Sequence, residues 1–272
     1  MASTSTEIPL APAPWVNLQA SGFVFINYNS STTPPSAAAY DALEGNSDFA
    51  SPSASGEFAG GLCSIFLLRY TETPVGPYDE LILSPGAYHV PVLPDSPTHL
   101  RITRIYVSSA ATELNGRKNW GIPKQMAGFK FVPADQGSKL PYKRVEVFNP
   151  GEEDKPFFAV DLQSAAWGIT LPGTVSTTMS PLDLTLVQPP LPQDGAERVG
   201  TDKWLRMVPL LQGKAGLAWG SGGLEGGAWG DDIGFPKVKL WSLGLWWKKV
   251  EVTFKVPDVL GEEEEEDVKK TK

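Results

Sequence analysis

The sequence predicts a mainly β, β-rich α+β domain: an antiparallel, barrel-like sheet with one or two short helices. Three observations carry this. About ten short segments rich in β-branched and aromatic residues recur along 272 residues. Turn formers separate nearly all of them, from a pool of 27 Gly and 25 Pro. Only one later segment, 109–120, has helical character, and Gly121 with Pro123 ends it. Many short antiparallel strands with few helices call for a closed or nearly closed sheet.

The elements follow in order. Residues 1–15 read as a flexible, Pro-containing arm, and 16–258 as the folded domain. Phe23–Tyr28 is a strand, Ser30–Ser36 a turn, Ala37–Leu43 a turn or two of helix, and Asn46–Gly56 a polar loop. Leu62–Tyr70 is an almost unbroken apolar run, as expected of a strand buried on both faces. Further strands are expected at Glu80–Leu83, Leu100–Ser108, around Phe129 and Phe131, around Val145 and Val147, and at Phe157–Leu162. Leu182–Val187, Trp204–Leu211, Leu240–Trp247 and Val250–Val256 complete the set. The Gly/Trp-rich stretch Gly213–Gly230 reads as a loop or flap, and 259–272 as an acidic disordered tail.

Composition bounds the function. Hydrophobic residues make up 41% and charged residues 20%, enough for a sizeable core. The net charge of −8 is concentrated partly in Glu262–Glu266 and Asp267, and no basic stripe interleaved with aromatics appears, which argues against a nucleic-acid partner. No stretch reaches the ~18 apolar residues needed to span a bilayer. The N-terminus lacks the basic and apolar regions of a signal peptide, so a cytoplasmic protein with no membrane partner is expected. Cys63, the lone cysteine, is expected to be a buried structural thiol. His89 and His99 have no accompanying third ligand, so no metal is expected.

The segment that carries chemistry is Asn115–Ala127. It contains Gly116-Arg117, then Ile122-Pro123-Lys124. Upstream lies Gly76-Pro77-Tyr78-Asp79-Glu80. Together, over about residues 60–135, these resemble the acetoacetate decarboxylase family, in which a Gly-Arg pair precedes a Pro-Lys whose lysine forms an imine. A Gly-x-Tyr-x-Glu segment supplies an active-site glutamate in that family. The resemblance implies a barrel-like β fold, a catalytic Lys124 assisted by Glu80, and a small-molecule carbonyl substrate near Arg117, Trp120, Gln125 and Tyr78. It implies no metal or organic cofactor. Relatives commonly assemble, which leaves a homo-oligomer open.

The chemistry explains the lysine. Breaking a carbon–carbon bond beside a carbonyl leaves a carbanion, and a protonated imine holds those electrons far better than a ketone. Forming it requires a neutral amine, whereas free lysine has a pKa near ~10.4. Desolvation or a neighbouring cation supplies the neutral form, acetoacetate decarboxylase being the standard example. Trp120, Ile122 and Met126 give Lys124 an apolar setting.

Two departures qualify the activity. Decarboxylases of the family carry a second lysine after the first, where this chain has Gln125, and a third active-site acid near the position of Ser64. The leading expectation is a decarboxylase-like lyase acting on a β-keto acid or related carbonyl compound. The alternatives are a cyclase or aldolase-dehydratase of secondary metabolism that shares the lysine without losing CO₂, and a non-catalytic small-molecule binder. Each competing role has a structural counterpart: Glu80 as a surface carboxylate, Arg117 as a salt-bridge strut, Trp120 as packing, Lys124 as an exposed loop lysine. Lys237, in a second Gly-Phe-Pro-Lys, is a rival nucleophile, but it is expected to face outward at the start of an alternating strand.

Overall fold

Side chains on a strand alternate between faces, and here both faces of one sheet are buried. The structure, a computed structural model, describes residues 8–165, 171, 173–196 and 198–261. Its strands in chain order are β1 (Trp15–Asn29), β2 (Phe58–Glu72), β3 (Tyr78–Ser84), β4 (Gly86–His89), β5 (Thr98–Arg101), β6 (Arg104–Val107), β7 (Lys124–Met126) and β8 (Gly128–Pro133). They continue with β9 (Tyr142–Phe148), β10 (Pro156–Ser164), β11 (Val175–Ser176), β12 (Leu186–Gln188), β13 (Trp204–Met207), β14 (Leu210–Gly222), β15 (Leu243–Phe254) and β16 (Asp258–Leu260). Helices α1 (Ala42–Gly45) and α2 (Pro52–Ser55) are single turns, and α3 (Ala110–Trp120) is the one substantial helix among the described residues.

Pairing is antiparallel except for β5 with β12 and β6 with β7. A parallel pair needs a crossover of a dozen residues or so, and α3 is that crossover between β6 and β7. The sheet forks at β2. Its start pairs with β4, its later residues pair with β3, and β1 runs along its other edge. Residues from β1, β2, β3, β5, β12, β14 and β15 line one chamber, so the sheet curls around it in the barrel-like manner expected.

Two cores result. Phe23, Phe25, Ile65, Leu67, Leu81 and Leu83 face one side. Leu68, Tyr70, Tyr78, Ile105, Val107 and Val252 face the other, the chamber side. This is why Leu62–Tyr70 reads as continuously apolar. Cys63 is buried in the first core, and burial pushes its thiol up to about 12. Iodoacetamide at pH ~8 is therefore expected to leave folded protein unmodified and to label it fully in urea, as read by intact mass; fast labelling of the folded chain would contradict the placement.

Several sequence expectations are corrected. Gly213–Gly230 is not a flap in its first half, because β14 runs through residue 222 and pairs with β15 and β10. Its glycines misled because they make room for aromatic rings: a Cβ on Gly216 would lie 2.4 Å from Trp246 Nε1, and one on Gly220 2.5 Å from Phe25 Cε1. Leu240–Trp247 and Val250–Val256 are one strand, β15, whose Lys248 and Lys249 stay exposed. Leu100–Ser108 splits into β5 and β6, and Trp204–Leu211 into β13 and the start of β14. In Leu182–Val187 only the last two residues are strand, and Asn46–Gly56 contains α2. Lys237 is exposed as expected but lies outside any strand.

At the N-terminus, the described part of the stretch read as a flexible arm is tied to α3. The Ala11 amide donates to Asn115 Oδ1, and Asn115 and Asn119 donate to the carbonyls of Pro9 and Ala11. Trp15 is buried, and β16 carries the ordered chain to Leu260. The rest of the expected acidic tail, 262–272, lies outside the described residues, as do residues 1–7. No described helix is long and apolar enough to cross a membrane.

Candidate active site

The strand register brings the two sequence segments together. On β3, Tyr78, Glu80, Ile82 and Ser84 share the chamber face, opposite Tyr70, Leu68, Phe66 and Ser64 of β2. Glu80 also pairs with Val107 of β6, and Lys124 of β7 pairs with Ile105. Glu80 and Lys124 are thus two strand spacings apart, roughly 10 Å, and the long lysine side chain spans the gap. Lys124 Nζ donates to Glu80 Oε2 at 2.7 Å and to Thr112 Oγ1 at 3.0 Å. Lys124 is 5% and Glu80 2% exposed, so this is a buried pair rather than surface charges.

Two aromatic rings complete the surroundings. Tyr70 and Tyr78 stack with centroids 4.5 Å apart. The Lys124 ammonium lies 5.0 Å from the Tyr78 ring centroid, within cation–π range. Tyr70 donates a long hydrogen bond, 3.4 Å, to Glu80 Oε1. Burial first, and the Glu80 carboxylate second, hold both phenols well above their usual range, so they remain proton donors.

Helix α3 explains the Gly-Arg pair. Thr112 and Gly116 are four residues apart, on one helix face, and Lys124 runs along that face. A Cβ on Gly116 would lie 2.5 and 2.6 Å from Lys124 Cδ and Cε. Gly116 therefore costs helix propensity and creates the lysine's channel. Gly116→Ala is expected to lower melting temperature, since the helix gain of about 1 kcal/mol is smaller than the cost of displacing the lysine from its buried pair with Glu80. Lysine-dependent reaction should fall about a hundredfold, the usual penalty for misplacing a reacting group by an ångström. A variant reacting at the parent rate would contradict this account.

Arg117 is fully buried, and its guanidinium is taken up by the protein. Nη1 donates to Glu44 Oε1 at 2.9 Å and to the Lys124 carbonyl at 3.2 Å, Nε to the Val199 carbonyl and Nη2 to the Pro192 carbonyl. Its partners are those of a salt-bridge strut holding the backbone of the lysine, and none of them is a substrate position. Trp120 is likewise placed in packing. Its ring packs edge-on against Trp15, with centroids 5.1 Å apart, and its Nε1 donates to the Lys255 carbonyl. Gln125 alternates away from Lys124. It pairs with Tyr106, which belongs to the opposite core, so the residue following the lysine faces away from the ammonium. Its buried amide nitrogen has no partner among the described residues.

Sequence reasoning missed Thr112, Tyr70 and Glu44. Thr112 was findable as the helical i−4 neighbour of Gly116. Tyr70 and Glu44 carry no local signal; register and tertiary packing bring them in. Among the described residues no trio of His, Cys, Asp or Glu is placed to hold a metal ion.

An apolar cavity of about 140 Å³ shares Tyr70 with this site, while Lys124 and Glu80 are not part of its lining. Tyr70 is part of its wall, with Phe66, Leu68 and Ile82.

The fold is one this chain shares with solved structures of acetoacetate decarboxylase and acetoacetate decarboxylase-like enzymes. Acetoacetate decarboxylase from Legionella pneumophila superposes with a TM-score of 0.52 at 12% identity, covering 95% of this chain and 91% of that one. The enduracididine biosynthesis enzyme MppR gives 0.56 at 14%, covering 94% and 90%. An acetoacetate decarboxylase-like enzyme from Sphingomonas wittichii RW1 gives 0.55 at 10%, covering 96% and 97%. No family model matches the sequence, and no curated protein matches it.

Proposed function

We propose that this protein is a lyase that forms an imine between Lys124 and a small carbonyl compound. The observation that carries the reading is the buried Lys124–Glu80 pair, held at 2.7 Å in this fold. Condensation of a lysine ammonium with a ketone gives a protonated imine and one water. Glu80 Oε2 accepts the ammonium proton before attack and returns it as the carbonyl oxygen departs. The imine then accepts the electron pair of the breaking bond as an enamine, which is reprotonated and hydrolysed. The structure of MppR with pyruvate bound lends support, since that neighbour holds a small carbonyl compound in the same fold.

The imine serves either decarboxylation of a β-keto acid or aldol-type and dehydration chemistry without loss of CO₂. Two features favour the second. Arg117 is fully buried with four of its five N–H donors held by Glu44 and three carbonyls, and Ser64 stands where a decarboxylase is expected to carry an acid. Borohydride trapping with a panel of β-keto acids and diketones, followed by peptide mass spectrometry, tests the reading. A substrate-sized adduct on the Lys124 peptide is expected, and headspace CO₂ separates the two reactions. Adducts only on Lys237, or none, would return the protein to the class of non-catalytic binders.

A further inference from the structure

We infer that the substrate is an uncharged carbonyl compound bearing an apolar group of about six carbons, seated in the chamber that shares Tyr70 with the Lys124 site. The inference rests on the imine reading and names the substrate class for that site. The chamber walls are the same strands that carry the site. Ile82 and Ser84 continue the face of Glu80 on β3, and Phe66 and Leu68 precede Tyr70 on β2. Tyr70 belongs to both places: its ring lines the chamber and its hydroxyl meets Glu80. A carbonyl carbon at Lys124 Nζ would direct its substituent past that ring into the chamber.

The lining sets the chemistry. It includes no Lys, Arg, His, Asp or Glu. Its hydroxyls come from Ser64, Ser84, Thr177 and Tyr70, and the Thr177 hydroxyl is already engaged with the Pro209 carbonyl and the Leu211 amide. A substrate carboxylate would find no cation among these side chains, and Arg117, which is not one of them, is held by Glu44 and three carbonyls. It would also bring a second negative charge toward Glu80 in a low-dielectric space, which disfavours binding. An uncharged apolar group meets neither obstacle. Size follows from the volume: a cavity of about 150 Å³ lined by Leu, Ile and Phe accepts benzene, and this one measures about 140 Å³.

Four compounds form a square that varies charge and bulk separately: acetylacetone and benzoylacetone are neutral, and acetoacetate and benzoylacetate anionic. Borohydride trapping on Lys124 is expected to run benzoylacetone fastest, roughly ten- to a hundredfold above acetylacetone, from burial of the phenyl ring. It should also exceed benzoylacetate by about tenfold or more. Faster trapping of either acid, or no gain from the phenyl group, would overturn the inference while leaving the imine intact. Leu184→Trp, at a partly exposed wall position, should flatten the phenyl preference; an undiminished preference would place the group elsewhere. If none of the four traps, the imine reading fails, and calorimetry on Lys124→Met decides the substrate class alone. Binding of benzoylacetone but not benzoylacetate would sustain it, and equal or absent binding would overturn it.

Discussion

On the imine reading, replacing Lys124 by Met is expected to abolish borohydride-trappable adducts and to lower turnover by about three orders of magnitude or more, because no lysine among the described residues lines the chamber to replace it. The substitution also strands Glu80, 2% exposed, without its cation. Removing one partner of a buried pair costs roughly 3–5 kcal/mol, whereas replacing both is often neutral. The double variant Lys124→Met with Glu80→Gln should therefore regain most of the lost melting temperature and none of the activity. Recovery of stability without activity would separate the proposed catalytic role of the lysine from its structural one. A single variant that still turns over at the parent rate would eliminate Lys124 as nucleophile.

The second large effect is on stability. Arg117→Leu removes the nearer partner of Glu44, leaving only Arg198 at 3.7 Å, and burial already pushes that carboxyl upward despite both guanidinium groups. A loss of roughly 3–5 kcal/mol is expected, which for a chain of this size lowers melting temperature by about 10 °C. If Arg117 acts by holding the Lys124 carbonyl, the folded variant at reduced temperature should show lower kcat with KM little changed. A large rise in KM with normal stability would restore Arg117 as a substrate ligand.

The site was legible wherever its residues lie close in sequence to a turn or helix end. Gly116, Arg117, Pro123 and Lys124 form one local unit, and Glu80 follows a turn, so motif reading found them. What each does was less legible, because roles depend on which way a side chain points. Gln125 stands next to Lys124 in sequence yet on the opposite face of β7, and Arg117 points into a cage built by Glu44 and the 192–199 segment. Strands with continuous apolar character, such as β2, were read correctly because both faces are buried. β14 was missed because its glycines serve rings on neighbouring strands, a reason no window around residue 216 contains.

The pairing of β1 with β15 has a consequence for synthesis. Trp15 pairs with Phe254, and both rings pack on Trp120 at the end of α3. The last turn of the helix that cradles the lysine is therefore clasped by segments from opposite ends of the described chain. Contacts so distant in sequence slow folding, and the emerging polypeptide cannot make them until β15 has left the ribosome. Lys124 and Glu80 exist as residues early, but the enclosed pair between them is among the last features to form. A nascent chain halted before residue 243 would carry the whole motif and none of the chemistry.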